Sequence, residues 1–313
     1  MIDLQDPTFT RRVELALLGD VDVSHLFFGA DIEEERASIV ASAFPDDSST
    51  VTCRVEQVDE AVCLFHAYDA SVNLFETDQL DSLLRDLTGT IAIDLTSLEN
   101  RVWAPLVRAL IRSHAEFLAL YAEPDDYRKS DLPGFVYDLS GGRGIEPLPG
   151  FAQVARRRND EGHFAPLLGF EGARLSHIID QEEVEMARSY PVIGSPGFRI
   201  EYPTITYVAN QNVLALEHMD QRVEFAQASC PFEAYHALER IHSRVGDRHL
   251  RIAPIGTKPH ALGAILYAIE HPSGTEIVYD HPERSRGRTQ GTRGVYVYEV
   301  SDFLTDLRHR DPR

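Results

Sequence analysis

The sequence predicts an α/β protein made of two Rossmann-like halves with mostly parallel sheets, related by a pseudo-twofold internal repeat. Three observations predict this fold class. Short apolar runs alternate with helical periods along the chain, and such alternation is typical of parallel sheets covered by helices. A segment rich in Gly, Pro and charge interrupts the alternation near the middle. Two segments of the first half also have counterparts, in the same order, in the second half.

The predicted strands are short runs rich in aromatic or β-branched residues and bounded by turn residues. In the first half they cover residues 14–20, 25–29, 50–55, 90–96 and 117–124. In the second half they cover residues 164–169, 191–194, 205–209, 250–256, 276–282 and 294–300.

Two predicted helices rest on apolar residues that recur along one helical face. The first runs through Val102 and Leu106 to Ile111. The second runs from Phe232 to Val245 and begins at Pro231, where the missing N–H costs nothing.

The irregular segment sets the predicted domain boundaries. Residues 1–130 form the N-terminal half, residues 131–162 the connection and residues 163–313 the C-terminal half. Gly141, Gly142 and Gly144 in the connection are expected to form turns. A phosphate loop is disfavoured because no strand leads there into a helix that opens with Gly-Lys-Ser/Thr.

The internal repeat is carried by two pairs of segments. Residues 25–40 and 164–179 each read as an apolar strand ending in Gly, an acidic loop and then a helix opening with Arg-x-Ser. Residues 91–124 and 251–282 each read as a strand, a turn, a helix and a second strand ending in Tyr-x-x-Pro. Any β-α-β unit resembles another, but two matches in the same order favour duplication.

Open parallel sheets bind ligands beyond the carboxyl ends of their strands, where helix N-termini present unpaired N–H groups. The repeat predicts that such turns from both halves face one cleft. The candidate ligand-binding residues of the first half are Gly29, Arg36, Asp94, Thr96, Ser97 and Asn100. Those of the second half are Gly169, Arg174, Gly256, Thr257, Lys258, His260, Tyr279, His281, Arg284 and Arg288.

The most informative turn reads Gly256-Thr257-Lys258-Pro259-His260. Gly256 allows a close approach of the backbone, and Lys258 supplies a positive charge. The alternative is a tight turn with a helix-capping Thr257 and a solvated Lys258. Lys258 and His260 together add nothing obvious to a cap, which favours contact with a ligand.

The formal net charge of −20 argues against a long nucleic-acid track, because such binding requires clustered Lys and Arg. It leaves room for a small anionic ligand in a local basic pocket. One basic cluster spans Arg156–Arg158, where a solvated face is the favoured interpretation. A second comprises Arg284, Arg286, Arg288 and Arg293 and follows a predicted strand.

The same composition bounds the compartment and the cofactors. Three scattered cysteines form neither a disulfide framework nor a thiolate zinc site. No apolar run is long enough for a membrane helix, and the first residues do not read as a secretory signal. We therefore expect a cytoplasmic protein without a membrane partner, a metal or another cofactor.

At these turns the chain resembles the CARF (CRISPR-associated Rossmann fold) domains and the related SAVED domains, which are fused CARF-like units. Asp94-Leu95-Thr96-Ser97 matches the opening, and Gly256-Thr257-Lys258-Pro259 the close, of a ligand-contacting turn that often reads Asp-Leu-Thr-Gly-Gly-Thr-Lys in CARF proteins. Neither half holds the whole motif. The resemblance implies two CARF-like halves that bind a cyclic or linear oligonucleotide messenger of antiviral defence. It also implies a protein effector as partner, since no nuclease, winged-helix or membrane effector is recognisable.

Two other functions stay open. A nucleotide-processing enzyme on the same fold would cleave a phosphodiester or glycosidic bond, with Lys258, Arg284 and Arg288 stabilising charge. His281 would then serve as the general base, with His260 beside it. The third possibility is a scaffold subunit of a defence complex.

Overall fold

The computed structural model describes residues 9–29, 34–45, 48–129, 140–141, 144–152, 162–246, 248–284 and 287–310. The chain forms two compact units. The first comprises Met1–Tyr127 and Thr289–Arg313, and the second Arg128–Arg288. Each unit combines a β-sheet with helices, so the predicted α/β class is confirmed. The predicted connection at 131–162 and the cluster Arg156–Arg158 lie mainly or wholly outside the described residues.

The strands are numbered along the chain. Those up to Tyr127 are β1 (Thr10–Val13), β2 (His25–Gly29), β3 (Val51–Gln57), β4 (Val62–Phe65), β5 (Ala70–Asn73), β6 (Ile91–Asp94) and β7 (Phe117–Tyr127). The others are β8 (Ser140–Gly141), β9 (His163–Leu167), β10 (Val192–Gly194), β11 (Glu224–Ala226), β12 (Leu250–Pro254), β13 (Thr275–Ile277), β14 (Glu283–Arg284) and β15 (Thr289–Tyr298).

The first unit contains an eight-stranded sheet in the order β1-β15-β7-β6-β2-β3-β4-β5. Its centre, β7-β6-β2-β3, is parallel, whereas both edges are antiparallel. The prediction of mostly parallel sheets is therefore wrong at these edges. The physical reason at one edge is loop length, because a short turn such as 58–61 can join only antiparallel neighbours.

The last strand corrects a predicted boundary. The sequence placed residues 163–313 in the C-terminal half, but β15 pairs with β7 in the first sheet, with Tyr296 opposite Tyr121. The first unit therefore takes in Thr289–Arg313. Val295 and Val297 of β15 join the buried cluster that contains Leu118 and Leu120 of β7. This burial of apolar residues, invisible in local sequence, determines the pairing.

The helices of the first unit are α1 (Ile39–Ser42), α2 (Thr77–Leu84), α3 (Asn100–Ser113) and α8 (Val300–Arg310). The predicted helix around residues 102–111 is confirmed as α3. It ends where His114 adopts a left-handed conformation with φ 54°, as helix C-termini commonly do.

The second unit contains a five-stranded, wholly parallel sheet in the order β11-β10-β9-β12-β13. Its helices are α4 (Gly172–Gln181), α5 (Tyr202–Leu214), α6 (Pro231–Val245) and α7 (Lys258–Glu270). Numbered within the unit, the strand order is 3-2-1-4-5, which is the order of Rossmann folds. The predicted start of a helix at Pro231 is confirmed.

Two predicted strands are wrong. Residues 14–20 form a short 3-10 helix at Leu15–Asp20, and residues 205–209 belong to α5. The β-branched residues near 205 favour a strand locally, but Tyr202, Thr206 and Asn210 are buried at a spacing of four residues. Burial of that helical face overrides the local preference.

In both sheets, the order in which the chain adds parallel strands reverses at a corresponding place. In the first sheet the chain builds outward from β2 to β3 and then from β6 to β7, so its switch point lies between β2 and β6. In the second sheet the switch point lies between β9 and β12. These are the strands of the predicted repeat. The pseudo-twofold relation and the cleft between the halves stay predictions.

Candidate functional site

The turn after β6 in the first unit is held by a network of buried hydrogen bonds. The Asp94 carboxylate accepts from the Thr96 backbone N–H at 2.8 Å and from the Ser97 hydroxyl at 2.5 Å. The Ser97 Oγ in turn accepts from the N–H of Gly29, at the end of β2, at 2.8 Å. All three side chains are at most 8% exposed. Their position at the switch point agrees with prediction, but in this structure they hold the turn together.

Two further contacts tighten the same edge. The Thr96 Oγ1 accepts from the N–H of Ala122 in β7 at 2.8 Å. A Cβ on Gly29 would lie 2.4 Å from the carbonyl oxygen of Ser97, so only glycine fits there. The carboxyl ends of β2, β6 and β7 are thus joined by the predicted residues themselves.

The first turn of α3 contains an arginine that the sequence did not single out. Arg101 is only 5% exposed, and among the described residues no partner for its Nε is found. Its neighbour Asn100, a predicted site residue, accepts from the Trp103 indole N–H at 3.2 Å. The sequence could have indicated Arg101 by its position, because a cation in the first turn of a helix is unfavourable to the helix dipole.

The switch point of the second sheet is formed by two glycines. A Cβ on Gly169 would lie 2.7 Å from the carbonyl oxygen of Ile255, and one on Gly256 would lie 2.5 Å from that of Leu168. The turns after β9 and β12 therefore touch through their backbones. The backbone does come close at Gly256, and the group it approaches is the neighbouring strand turn. Contact of Gly256 with a ligand stays a prediction.

Substitution of Gly256 by Ala is expected to lower the free energy of unfolding by about 1–3 kcal/mol, because the added methyl group forces two turns apart. Gly162→Ala is the matched control, since its Cβ would be 3.6 Å from the nearest atom. Urea unfolding of both variants measures the difference. Equal stabilities would contradict the close approach.

Thr257 caps α7. Its Oγ1 accepts from the His260 N–H at 3.3 Å, and its hydroxyl donates to the carbonyl oxygen of Ala228 at 2.9 Å. The capping role considered for Thr257 is therefore present. Its hydroxyl group thus both accepts and donates a hydrogen bond within the protein.

His260 is fully buried beneath the loop that follows β11. Its Nε2–H donates to the carbonyl oxygen of Gln227 at 3.0 Å, since a carbonyl can only accept. Burial lowers the pKa of His260 to about 4, so the ring is neutral at pH 7. In this structure it anchors a loop.

The two arginines of the repeat are engaged inside their units. Arg36 binds Glu34 at 2.6 Å and donates to the carbonyl oxygen of Ala122 at 2.5 Å. Arg174 forms two hydrogen bonds of 2.6 Å with Asp280 and a third, of 3.2 Å, with the carbonyl oxygen of Ile255. Each arginine thus pairs with a carboxylate and with the backbone near the end of another strand.

The segment after β13 contains the remaining candidates. Tyr279 and His281 are nearly buried, and their rings meet edge to face with centroids 5.0 Å apart. The His281 Nε2–H donates to the carbonyl oxygen of Glu146 at 3.0 Å, and its φ of 41° is strained for a residue with a side chain. The Arg288 carbonyl oxygen accepts from the Arg128 N–H at 2.8 Å. The side chain of Arg284 and all of Arg286 lie outside the described residues.

Comparison with known proteins gives little. No protein-family model and no curated protein matches the chain. A solved structure of CobK precorrin-6A reductase is similar at 10% identity over 92% of this chain and 96% of that chain, with a TM-score of 0.24. A TM-score this low supports no inference about fold or chemistry.

The described residues also bear on other kinds of site. Among them, no group of three or more His, Cys, Asp or Glu side chains is arranged to hold a metal ion. No described helix is long and apolar enough to cross a membrane.

Proposed function

We propose that this protein is a cytoplasmic sensor that binds a small anionic nucleotide-type ligand and acts with a protein effector in antiviral defence. The ligand contacts the carboxyl edge of the second sheet, around the start of α7. The messenger class and the effector rest on the resemblance to CARF and SAVED domains.

The strand order of the second sheet carries this proposal. Its switch point lies between β9 and β12, where Gly169 and Gly256 let the two strand-end turns touch through their backbones. Ligands of open α/β sheets bind at this point. The 13-residue helix α7 begins two residues after Gly256.

Phosphate groups suit this position. The N-terminus of α7 presents the positive end of the helix dipole. Lys258, the first residue of α7, is half-buried and adds a full charge. Thr257 and the His260 N–H are committed to the cap, and Pro259 has no N–H. Recognition therefore falls to the positive end of the helix dipole and to Lys258.

The histidines support binding over cleavage. A general base needs a lone pair that reaches the substrate, but His260 is fully buried, with its Nε2 bonded to Gln227. His281 is nearly buried and its Nε2 bonds to Glu146. The enzyme alternative therefore has weaker support than the sensor.

A melting assay separates the three functions. Cyclic oligonucleotides, NAD and nucleoside phosphates are added in turn, and the recovered ligand is analysed. A raised Tm with intact ligand supports the sensor, because a ligand that binds only the folded state stabilises it. Formation of product supports the enzyme, and no change with any ligand favours the scaffold.

Lys258→Ala and Arg288→Ala are each expected to weaken the ligand-induced rise in Tm while leaving the ligand-free Tm nearly unchanged. Loss of one charge-assisted phosphate contact lowers affinity by about tenfold or more. Lys129→Ala, which removes the chain's other lysine, is the control because Lys129 is exposed. Normal binding by both variants would refute the site.

A further inference from the structure

The first unit contains a nearly buried arginine whose Nε has no acceptor among the described residues. Arg101 is the second residue of α3 and is only 5% exposed. In the part of the chain that the structure describes, the buried Nε of its guanidinium has no hydrogen-bond acceptor. The other nearly buried arginine of this unit, Arg36, is fully paired.

The backbone beside Arg101 also lacks acceptors. Glu99, at the N-cap, makes no side-chain cap. Within the described ranges, the backbone N–H groups of Asn100 and Arg101 have no acceptor either. The first turn of α3 therefore combines two N–H groups, the positive end of the helix dipole and a guanidinium.

In the part of the chain that the structure describes, the carboxylates near this turn form no ion pair with Arg101. Asp59, in the turn between β3 and β4, is exposed and accepts from the N–H groups of Ala61 and Val62 at 2.7 Å each. These two bonds, and then the positive charge of Arg101, hold the pKa of Asp59 below its usual value. Asp59 is thus committed to its own turn. The Glu99 carboxylate accepts no capping hydrogen bond from the backbone of α3.

An unpaired buried cation is costly, so natural proteins pair such groups. A buried polar group that lacks a partner in the free protein requires an explanation, and an absent ion is one. We propose that Arg101 and the first turn of α3 bind the oxyanion of a phosphate group. A guanidinium fork matches two phosphate oxygens, and helix N–H groups match a third.

This site is distinct from the one proposed at α7 and does not rest on it. The two lie in different units, Arg101 in the first and Lys258 in the second. The phosphate comes either free from solution or as part of a nucleotide, and the recognition chemistry is the same for both.

The test compares melting temperatures in inorganic phosphate and in chloride at equal ionic strength, for wild type, Arg101→Met and Arg85→Met. Arg85 is an exposed arginine of the same unit and serves as the matched control. Phosphate is expected to raise the Tm of wild type and of Arg85→Met by roughly 2 °C or more. Arg101→Met should lose this rise and, in chloride, melt at or above the wild-type temperature, because an apolar side chain replaces an unpaired charge.

Two further arms make the result decisive. Arg101→Lys keeps the charge but loses the fork, and should weaken phosphate binding measured by ³¹P NMR by about tenfold. Titration with AMP, adenosine and phosphate identifies the source, since a nucleotide site responds to AMP more strongly than to phosphate. Lys258→Ala should keep the phosphate response even if the α7 site is correct.

Two outcomes overturn the proposal. The first is an equal phosphate response in wild type and Arg101→Met. The second is an Arg101→Met variant that melts well below wild type in chloride, which indicates that a carboxylate of the chain itself already pairs with Arg101.

Discussion

Asp280→Asn is expected to lower the free energy of unfolding of the second unit by about 3–5 kcal/mol, the usual cost of breaking a buried ion pair from one side. Asp280 is 1% exposed and receives two hydrogen bonds of 2.6 Å from Arg174. The neutral amide leaves the Arg174 cation buried without its main counter-ion. Calorimetry should show the fall as a Tm lowered by roughly 6–12 °C.

The control for this prediction is a pair of the same chemistry at the surface. Glu185 binds Arg188 at 3.2 Å and is 57% exposed, so Glu185→Gln should cost less than about 1 kcal/mol. The double variant Arg174→Met/Asp280→Leu should recover much of the lost stability, because no buried charge remains. If Asp280→Asn costs no more than Glu185→Gln, the ion pair does not hold this edge together.

Predictability of the fold from sequence depended on where the apolar residues lie. Runs such as 25–29 and 90–96 became the buried central strands β2 and β6, because central parallel strands are apolar on both faces. The last two strands at one side of the first sheet, β4 and β5, are four residues each and half-exposed. Their pattern is too short and too mixed to distinguish from a loop.

The long-range pairing of β15 could not be predicted for a different reason. Its residues read as a strand in either half, and only the burial of Val295 and Val297 against β7 decides between them. Pairing across more than 160 residues of sequence is determined by packing, and local propensity carries no information about it.

In the candidate site, too, some features were predictable from the local sequence and others were not. Glycines at the switch points were predictable because a strand that ends in Gly marks a close approach, and Gly29, Gly169 and Gly256 all make one. The contacts of the polar side chains were not predictable, because the sequence does not show which partners these side chains bind. Thr257 and His260 read as ligand contacts yet bind the loop after β11, whereas the buried Arg101 was not singled out at all.

Acid should destabilise the second unit through His260. The pKa of His260 is about 4 in the folded protein and about 6.5 in an unfolded chain. The unfolded state therefore binds more protons between these values, and stability falls as the pH falls from about 6.5 to about 4. The total loss is about 3 kcal/mol, and stability is insensitive to this group above the window.

His260→Gln tests this prediction, because glutamine retains an N–H that can donate to the Gln227 carbonyl oxygen but does not titrate. Urea unfolding at a series of pH values should give a flatter dependence of stability on pH than in wild type. Some slope should remain, since burial, then Arg248 and Arg188, also lower the pKa of the nearly buried His163. His309→Gln removes an exposed histidine and is the control.

The same experiment decides between the two roles considered for His260. A histidine that anchors the loop contributes to the pH dependence of stability whether or not a nucleotide is present. A histidine that binds the ligand would instead make ligand affinity, measured by the shift in Tm, depend on pH across the same window. Coinciding pH profiles for wild type and His260→Gln without ligand would show that the ring is not held neutral in the core, and the anchoring role would then have to be abandoned.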